Sequence, residues 1–134
     1  AGIPVMGHIG LRPQLVNQLG GYRVIGKTDE AIKALIEDAH ALEAAGAFSF
    51  VIELVPKEAA KLISQSVNIP TIGIGAGNEC DGQVLVINDM LGMLEKDLKH
   101  NRKYLNLHND IKNAVNKYIE DVKTKNFPSD KESF

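Results

Sequence analysis

A nearly continuous apolar segment, from Phe48 to Val55, lies between two segments of helical periodicity. Such a run is typical of a strand covered on both faces, as in parallel sheets flanked by helices. The segment before it opens with Thr28, a good N-cap residue, and keeps apolar residues at helical spacing up to Ala45. Pro56 suits the first turn of the helix that follows. This alternation predicts an α/β fold with a parallel sheet.

Similar patterns predict the remaining elements. We expect further strands at Ile3–Gly7, Ile69–Ile74 and Gln83–Asn88, a short helix at Met90–Leu94 and a final helix at residues 109–124. All 12 glycines lie at or before Gly92. Residues 1–94 hold 6 basic and 10 acidic side chains, a net charge of −4, whereas residues 95–134 hold 9 and 7, a net of +2. Residues 95–134 are therefore predicted to be a helical extension of a turn-rich body.

Four strand–helix units fit either a small doubly wound sheet of the flavodoxin kind or half of a (β/α)8 barrel. A whole barrel takes about 250 residues, and the chain has 134, so it can supply at most half of one. For the half-barrel we expect four parallel strands in sequential order, with helices on one side only.

Composition excludes several classes of function. The chain has 15 basic and 17 acidic residues, and nucleic-acid or anionic-membrane binders usually carry a basic excess. It shows neither a signal-peptide pattern nor an apolar run near the roughly 18 residues of a spanning helix. Cys80 is its one cysteine, so no disulfide forms within the chain. We expect a cytoplasmic protein that binds neither nucleic acid nor membrane.

Glu53 is the candidate catalytic residue, because it interrupts the apolar run near the end of a buried strand. Alternation places Ser49, Val51 and Glu53 on one face, and Phe48, Phe50, Ile52 and Leu54 on the other, toward the helices. A lone carboxylate inside a barrel or cleft is costly unless it is paired or used. A structural ion pair is the alternative. Function is favoured because active sites of such barrels lie at the C-terminal strand ends.

Other polar residues give weaker signals. His8 follows the first predicted strand and could bind substrate, act as a base, or hydrogen-bond a neighbour. Asp89 is predicted to cap a helix, and Cys80 lies in an acidic loop that disfavours a thiolate. No pair of His, Asp or Glu has convincing metal-ligand spacing. The Gly73–Gly77 segment lacks the later features of a dinucleotide fingerprint, so its glycines are predicted to permit close backbone approach.

Several segments together resemble the ketopantoate hydroxymethyltransferase family. Their counterparts in that family are "PVxGHxGLTPQ", "GGYKVQG", "VLECVP", "IPxIGIGAG", "DGQVLV" and "FPxxEHSF". In this chain the corresponding segments occur in the same order, at Gly2–Gln14, Gly20–Gly26, Val51–Pro56, Ile69–Gly77 and Asp81–Val86, and finally at Phe127–Ser129 with the closing Ser133–Phe134.

The resemblance implies a (β/α)8 barrel of which this chain is the C-terminal half, strands five to eight. It implies transfer of a hydroxymethyl group from methylenetetrahydrofolate to 3-methyl-2-oxobutanoate, giving 2-dehydropantoate for pantothenate biosynthesis. Glu53 takes the place of the family's catalytic base. The Mg²⁺ ligands and a substrate-binding lysine belong to the other half, so we expect the isolated 134-residue chain to be inactive. The family also implies a homo-oligomer, a decamer, with helix 109–124 packed against a neighbouring subunit.

The chain also departs from the family pattern. Arg12 replaces a threonine, Leu54 a cysteine and Asn88 a histidine, and residues 95–108 diverge. None of these changes removes the base. The alternative to the enzyme is a non-catalytic half-barrel that serves as an assembly or binding module. Coding sequence for an acidic metal-binding set upstream of Ala1 would favour the enzyme.

Overall fold

The computed structural model describes residues 2–18 and 20–134, so that Ala1 and Leu19 lie outside the description. The chain divides into two compact units, one ending at Val84 and the other spanning Leu85–Phe134.

The first unit contains a parallel sheet. Its elements are β1 (Met6–Gly10), a 3₁₀ turn (Pro13–Leu15), α1 (Asp29–Ala44), β2 (Ser49–Glu53), α2 (Lys57–Ser66), β3 (Thr71–Ile74) and β4 (Gly82–Gln83). The strands lie in the order β1-β2-β3-β4, and each neighbouring pair is parallel. This confirms the predicted sheet. A doubly wound sheet reverses its strand order, so the flavodoxin alternative is wrong.

Both helices of this unit pack on one face of the sheet. Phe50 and Ile52 of β2 are fully buried there, together with Ile63 of α2. Thr28 caps α1 as predicted, because its Oγ1 accepts a hydrogen bond from the backbone N–H of Ala31 at 3.3 Å. The other face carries half-buried side chains: His8, Val51, Glu53, Ile72 and Ile74.

The first and fourth strands differ from the prediction. β1 begins at Met6 rather than Ile3, whose side chain is 75% exposed. His8 therefore lies within the strand and not after it. Only Gly82 and Gln83 pair with β3, since the chain turns into a helix soon afterwards. A short apolar run cannot by itself separate strand from helix.

The second unit contains the short helix α3 (Ile87–Met90), the long helix α4 (Leu107–Lys123) and a 3₁₀ turn (Asp130–Glu132). The predicted helix Met90–Leu94 is thus placed three residues too late. Asp89 lies inside α3 and is not its cap, a position held by Val86 without a side-chain bond.

Helix α4 confirms the predicted final helix and begins two residues earlier. None of its residues is buried, and its apolar face is between 42% and 56% exposed: Ile111, Val115, Tyr118, Ile119 and Val122. Across the described residues, no helix combines the length and apolar character needed to cross a membrane.

Candidate functional site

Glu53 is the last residue of β2, at the C-terminal edge of the sheet. Its side chain lies on the face opposite the helices and is 16% exposed. The predicted alternation is confirmed for Phe50 and Ile52, which are both fully buried on the helix side. It is wrong for Phe48, 54% exposed, because the strand begins only after it.

The backbone around Glu53 is held by neighbouring segments. The carbonyl oxygen of Glu53 accepts a hydrogen bond from Leu11 N–H at 2.8 Å, and Leu54 N–H donates to the Ile74 carbonyl at 2.9 Å. A Cβ atom at Gly10, whose φ is +82°, would collide with the Glu53 carbonyl oxygen, so only glycine fits there. These contacts fix where the Glu53 side chain leaves the sheet.

Leu54 adopts a left-handed backbone conformation, with φ of +47°. For a non-glycine residue this conformation costs about 1–2 kcal/mol, and such strain is concentrated at functional sites. The Leu54 carbonyl accepts a hydrogen bond from Ile25 N–H at 2.9 Å, which holds the turn in place. Leu54 follows the last residue of β2, so strand alternation no longer applies to it.

His8 and Glu53 meet on the open face of the sheet. His8 is in register with Val51, and Gly10 is in register with Glu53. His8 therefore lies on the same face as Glu53, diagonally across from it and two residues before its register partner. Its Nε2 is 3.1 Å from Glu53 Oε2. That nitrogen is buried and makes no aligned hydrogen bond with the described residues. The contact is thus a close electrostatic approach rather than a formed hydrogen bond.

The sequence alone does not reveal this pair. The two residues are far apart in the chain, and only the β1–β2 register brings them together. Alternation along β1 (Met6–Gly10) puts His8 on the face opposite the buried Gly7 and Ile9, which is the face of Glu53, but it does not show which residue of β2 lies beside His8.

Three apolar side chains share the open face of the sheet with the carboxylate. Ile74 is the register partner of Glu53 on β3, and Ile72 is that of Val51. All three apolar side chains are half-buried. The arrangement offers one carboxylate beside an apolar surface formed by Val51, Ile72 and Ile74.

Two neighbouring cavities between β1 and α1 are lined in part by His8. Their volumes are about 210 and 280 Å³, and both are also lined by Arg12 and Asp38. Glu53 lines neither of them, so the carboxylate is directed to the open face of the sheet and not into these cavities.

The glycines after β3 permit close packing, as predicted. Gly75 and Gly77 have φ values of +62° and +82°. A Cβ atom at Gly77 would lie 2.5 Å from the Cβ of Lys57, the first residue of α2. The approaching group is therefore the protein's own helix.

A polar cluster joins β3 to the start of β4. Thr71, fully buried, donates to Asp81 Oδ2 through its backbone N–H at 2.8 Å and its hydroxyl at 2.9 Å. These hydrogen bonds hold the pKa of Asp81 below its usual value. Cys80 beside it lies in the loop between β3 and β4, as predicted, and its side chain is buried in the core.

No group of three or more His, Cys, Asp or Glu side chains suited to a metal ion occurs among residues 2–18 and 20–134.

Comparison with known proteins identifies relatives along the whole chain. A family model described as ketopantoate hydroxymethyltransferase matches residues 1–130. Proteins named 3-methyl-2-oxobutanoate hydroxymethyltransferase are 54% identical in Clostridium botulinum, 58% in Dehalococcoides mccartyi and 53% in Pyrobaculum aerophilum. These matches cover 99–100% of this chain and 48–51% of each relative, so the chain spans about half the length of the curated relatives it matches. The chain belongs to the ketopantoate hydroxymethyltransferase family.

Proposed function

We propose that this chain supplies the catalytic base for hydroxymethyl transfer from methylenetetrahydrofolate to 3-methyl-2-oxobutanoate, giving 2-dehydropantoate in pantothenate biosynthesis. Family membership and the printed names of the relatives support the reaction. The observation that carries the assignment is the position of Glu53, a half-buried carboxylate on the open face at the C-terminal edge of the sheet.

The carboxylate removes the proton from the carbon next to the keto group. That carbon then carries the electron pair that forms the new bond to the methylene carbon of the folate. Both bonds from the methylene carbon to folate nitrogens break, and water supplies the hydroxyl group of the product. Tetrahydrofolate leaves with two added protons, one from the substrate carbon and one from water. General-base catalysis requires the acceptor within hydrogen-bond reach of the proton.

The apolar surface beside Glu53 suits this substrate. The carbon that loses the proton bears two methyl groups. When Glu53 is within reach of that proton, the methyl groups lie next to it and need an apolar environment. Val51, Ile72 and Ile74 provide it on the same face as Glu53.

We also propose that the four strands are strands five to eight of a (β/α)8 barrel. The sequential parallel order and the coverage of about half of each relative support this placement. The Mg²⁺ implied by the family would be held by residues outside this chain, because the described residues contain no cluster that fits it.

Homo-oligomer formation through α4 is part of the same proposal. Its exposed apolar residues, Ile111, Val115 and Ile119 among them, favour burial against another copy of the chain. Truncation before α4 should reduce the size of the assembly in sedimentation. An unchanged size would contradict this part of the proposal.

Glu53→Gln in the full gene product tests the assignment. Glutamine keeps the shape of the side chain but cannot take the proton, so we expect kcat to fall by about 10²–10⁴, with keto-acid binding nearly unchanged. Exchange of the substrate proton with D₂O measures the first step without folate. Glu58→Gln is the control, because that carboxylate is 74% exposed on α2. A Glu53→Gln variant that exchanges as fast as wild type would overturn the proposal.

A further inference from the structure

The buried ring nitrogen of His8 has a role that the proposed base does not by itself explain. It lies 3.1 Å from Glu53 Oε2, and among the described residues it has no aligned hydrogen-bond partner. We propose that His8 is the positioning residue of Glu53: its Nε2–H holds Oε2, which leaves Oε1 to accept the substrate proton. This inference rests on the proposed function of Glu53.

The backbone alone cannot orient the carboxylate. Hydrogen bonds from Leu11 to the Glu53 carbonyl and from Leu54 to Ile74 fix the main chain at this point. Three side-chain torsions still separate the Glu53 main chain from its carboxylate, and they lose freedom only through contacts of the side chain. Among the described residues, the charged or polar side chain that contacts this carboxylate is that of His8.

The position of His8 is itself restrained. It is the middle residue of β1 and pairs with Val51 across the sheet. Gly7 and Ile9 on either side of it are buried on the helix face. Alternation therefore keeps the imidazole on the open face, diagonally across from Glu53.

The chemistry of the pair assigns its tautomer. A carboxylate that acts as a base offers only acceptor oxygens, so the nitrogen facing it must carry the hydrogen. A buried polar nitrogen without a partner is costly, and rotation of the ring toward Oε2 would satisfy it. Catalytic hydrogen bonds are often poorly aligned before substrate binds.

The same geometry argues against His8 as a substrate ligand or as the base through this nitrogen. Nε2 is buried, and Glu53 Oε2 lies against it, so a ligand could meet it only by displacing Glu53. His8 thus acts through Glu53.

Paired substitutions in the full gene product test this role, with deuterium exchange of 3-methyl-2-oxobutanoate as the readout. We expect His8→Leu to slow exchange by about 10²-fold, the usual cost of a misplaced catalytic group, with KM for the keto acid little changed. His8→Gln should restore most of the rate, because its amide N–H reaches about as far as Nε2. His8→Asn should not, because its amide falls one carbon short. His40→Leu is the control, since that imidazole bonds the Ser66 carbonyl on the outer helices.

The double variant His8→Leu/Glu53→Gln distinguishes the two proposals. If His8 acts through Glu53, the double variant exchanges as slowly as Glu53→Gln alone, because residues that act as a unit are not additive. Losses that multiply would overturn the positioning role but leave Glu53 as the base. Wild-type exchange in His8→Leu, or equal rates for the Gln and Asn variants, would also overturn it. Wild-type exchange in Glu53→Gln would overturn the proposed function and this inference together.

Discussion

The unit ending at Val84 and the unit Leu85–Phe134 use their apolar residues in different ways. Every buried side chain of the hydrophobic core belongs to the first unit, from Ile9 to Cys80. In the second, α4 has a well-formed apolar stripe but no buried residue. Helical periodicity therefore specifies the helix equally well in both units, but it does not show what covers the apolar face.

Hydrogen bonds and an aromatic contact hold the second unit together. Backbone hydrogen bonds link the segment around the start of α4 to the end of α3, among them Tyr104 N–H to the Met90 carbonyl at 2.8 Å. Tyr118 and Phe127 form an edge-to-face pair with ring centres 5.5 Å apart. At the C-terminus, Ser129 and Glu132 form a capping box. The first unit is thus stabilised by its core, and the second by backbone hydrogen bonds, one capping box and an aromatic pair.

The largest expected difference between the units is in the loss of a phenylalanine side chain. Phe50→Ala empties a fully buried core position, so we expect the free energy of unfolding to fall by about 3–5 kcal/mol. Phe127→Ala in the second unit should cost only about 0.5–1.5 kcal/mol, because that ring is 41% exposed. Denaturant unfolding measures both. Equal losses would contradict the contrast, and a Phe127 loss that grows with protein concentration would show that another copy covers this region.

A glycine pair tests how tightly the first unit holds Glu53. Gly10→Ala combines a φ of +82° with a collision against the Glu53 carbonyl, so we expect a loss of about 2–4 kcal/mol and slower substrate exchange. Gly46→Ala has a similar φ of +85° but open space around it, so its loss should be about 1–2 kcal/mol. Thermal unfolding and deuterium exchange measure the pair. A Gly10→Ala variant with wild-type exchange would show that the site tolerates a shifted strand end.

The smallest expected effect is a pH dependence. The pKa of Asp81 is lowered by hydrogen bonds from Thr71, so the carboxylate stabilises the fold above its unfolded pKa, about 3.9, and this stabilisation is lost as the pH falls through the folded pKa. Asp81→Asn should therefore be less stable than wild type at pH 7, with the gap closing in acid. Ser129 likewise lowers the pKa of Glu132 in the second unit.

Glu132→Gln provides the comparison, because Glu132 lies in an exposed capping box whereas Asp81 bonds a buried threonine. We expect its acid-unfolding midpoint to shift less than that of Asp81→Asn. A larger shift for Glu132→Gln would mean that the terminal turn is more firmly packed than its exposure indicates.

The sequence predicted the elements with strong periodicity and missed those without it. The prediction agrees with helix α1 to within one residue and with strand β2 to within two, because the apolar spacing of α1 is long and β2 is bounded by Gly46 and Pro56. β4 was overextended, since Val84 and Val86 are apolar but lie 45% and 49% exposed beyond the pairing.

The candidate site was predictable only in part. Alternation along β2 was enough to place Glu53 on the open face. The contact with His8 depends on the register between β1 and β2, which no local pattern encodes. The left-handed turn at Leu54 was equally hidden, because leucine is not a residue that marks such a turn.

That turn limits how position 54 can vary over evolutionary time. A residue at φ of +47° tolerates glycine or asparagine readily but disfavours side chains branched at Cβ. In a saturation library of this position, valine, isoleucine and threonine should be depleted even though they are the nearest apolar or β-forming replacements. Neutral drift at position 54 is thus restricted by the backbone rather than by the chemistry of the side chain, and the neighbouring carboxylate keeps its place because few sequences can alter the turn that follows it.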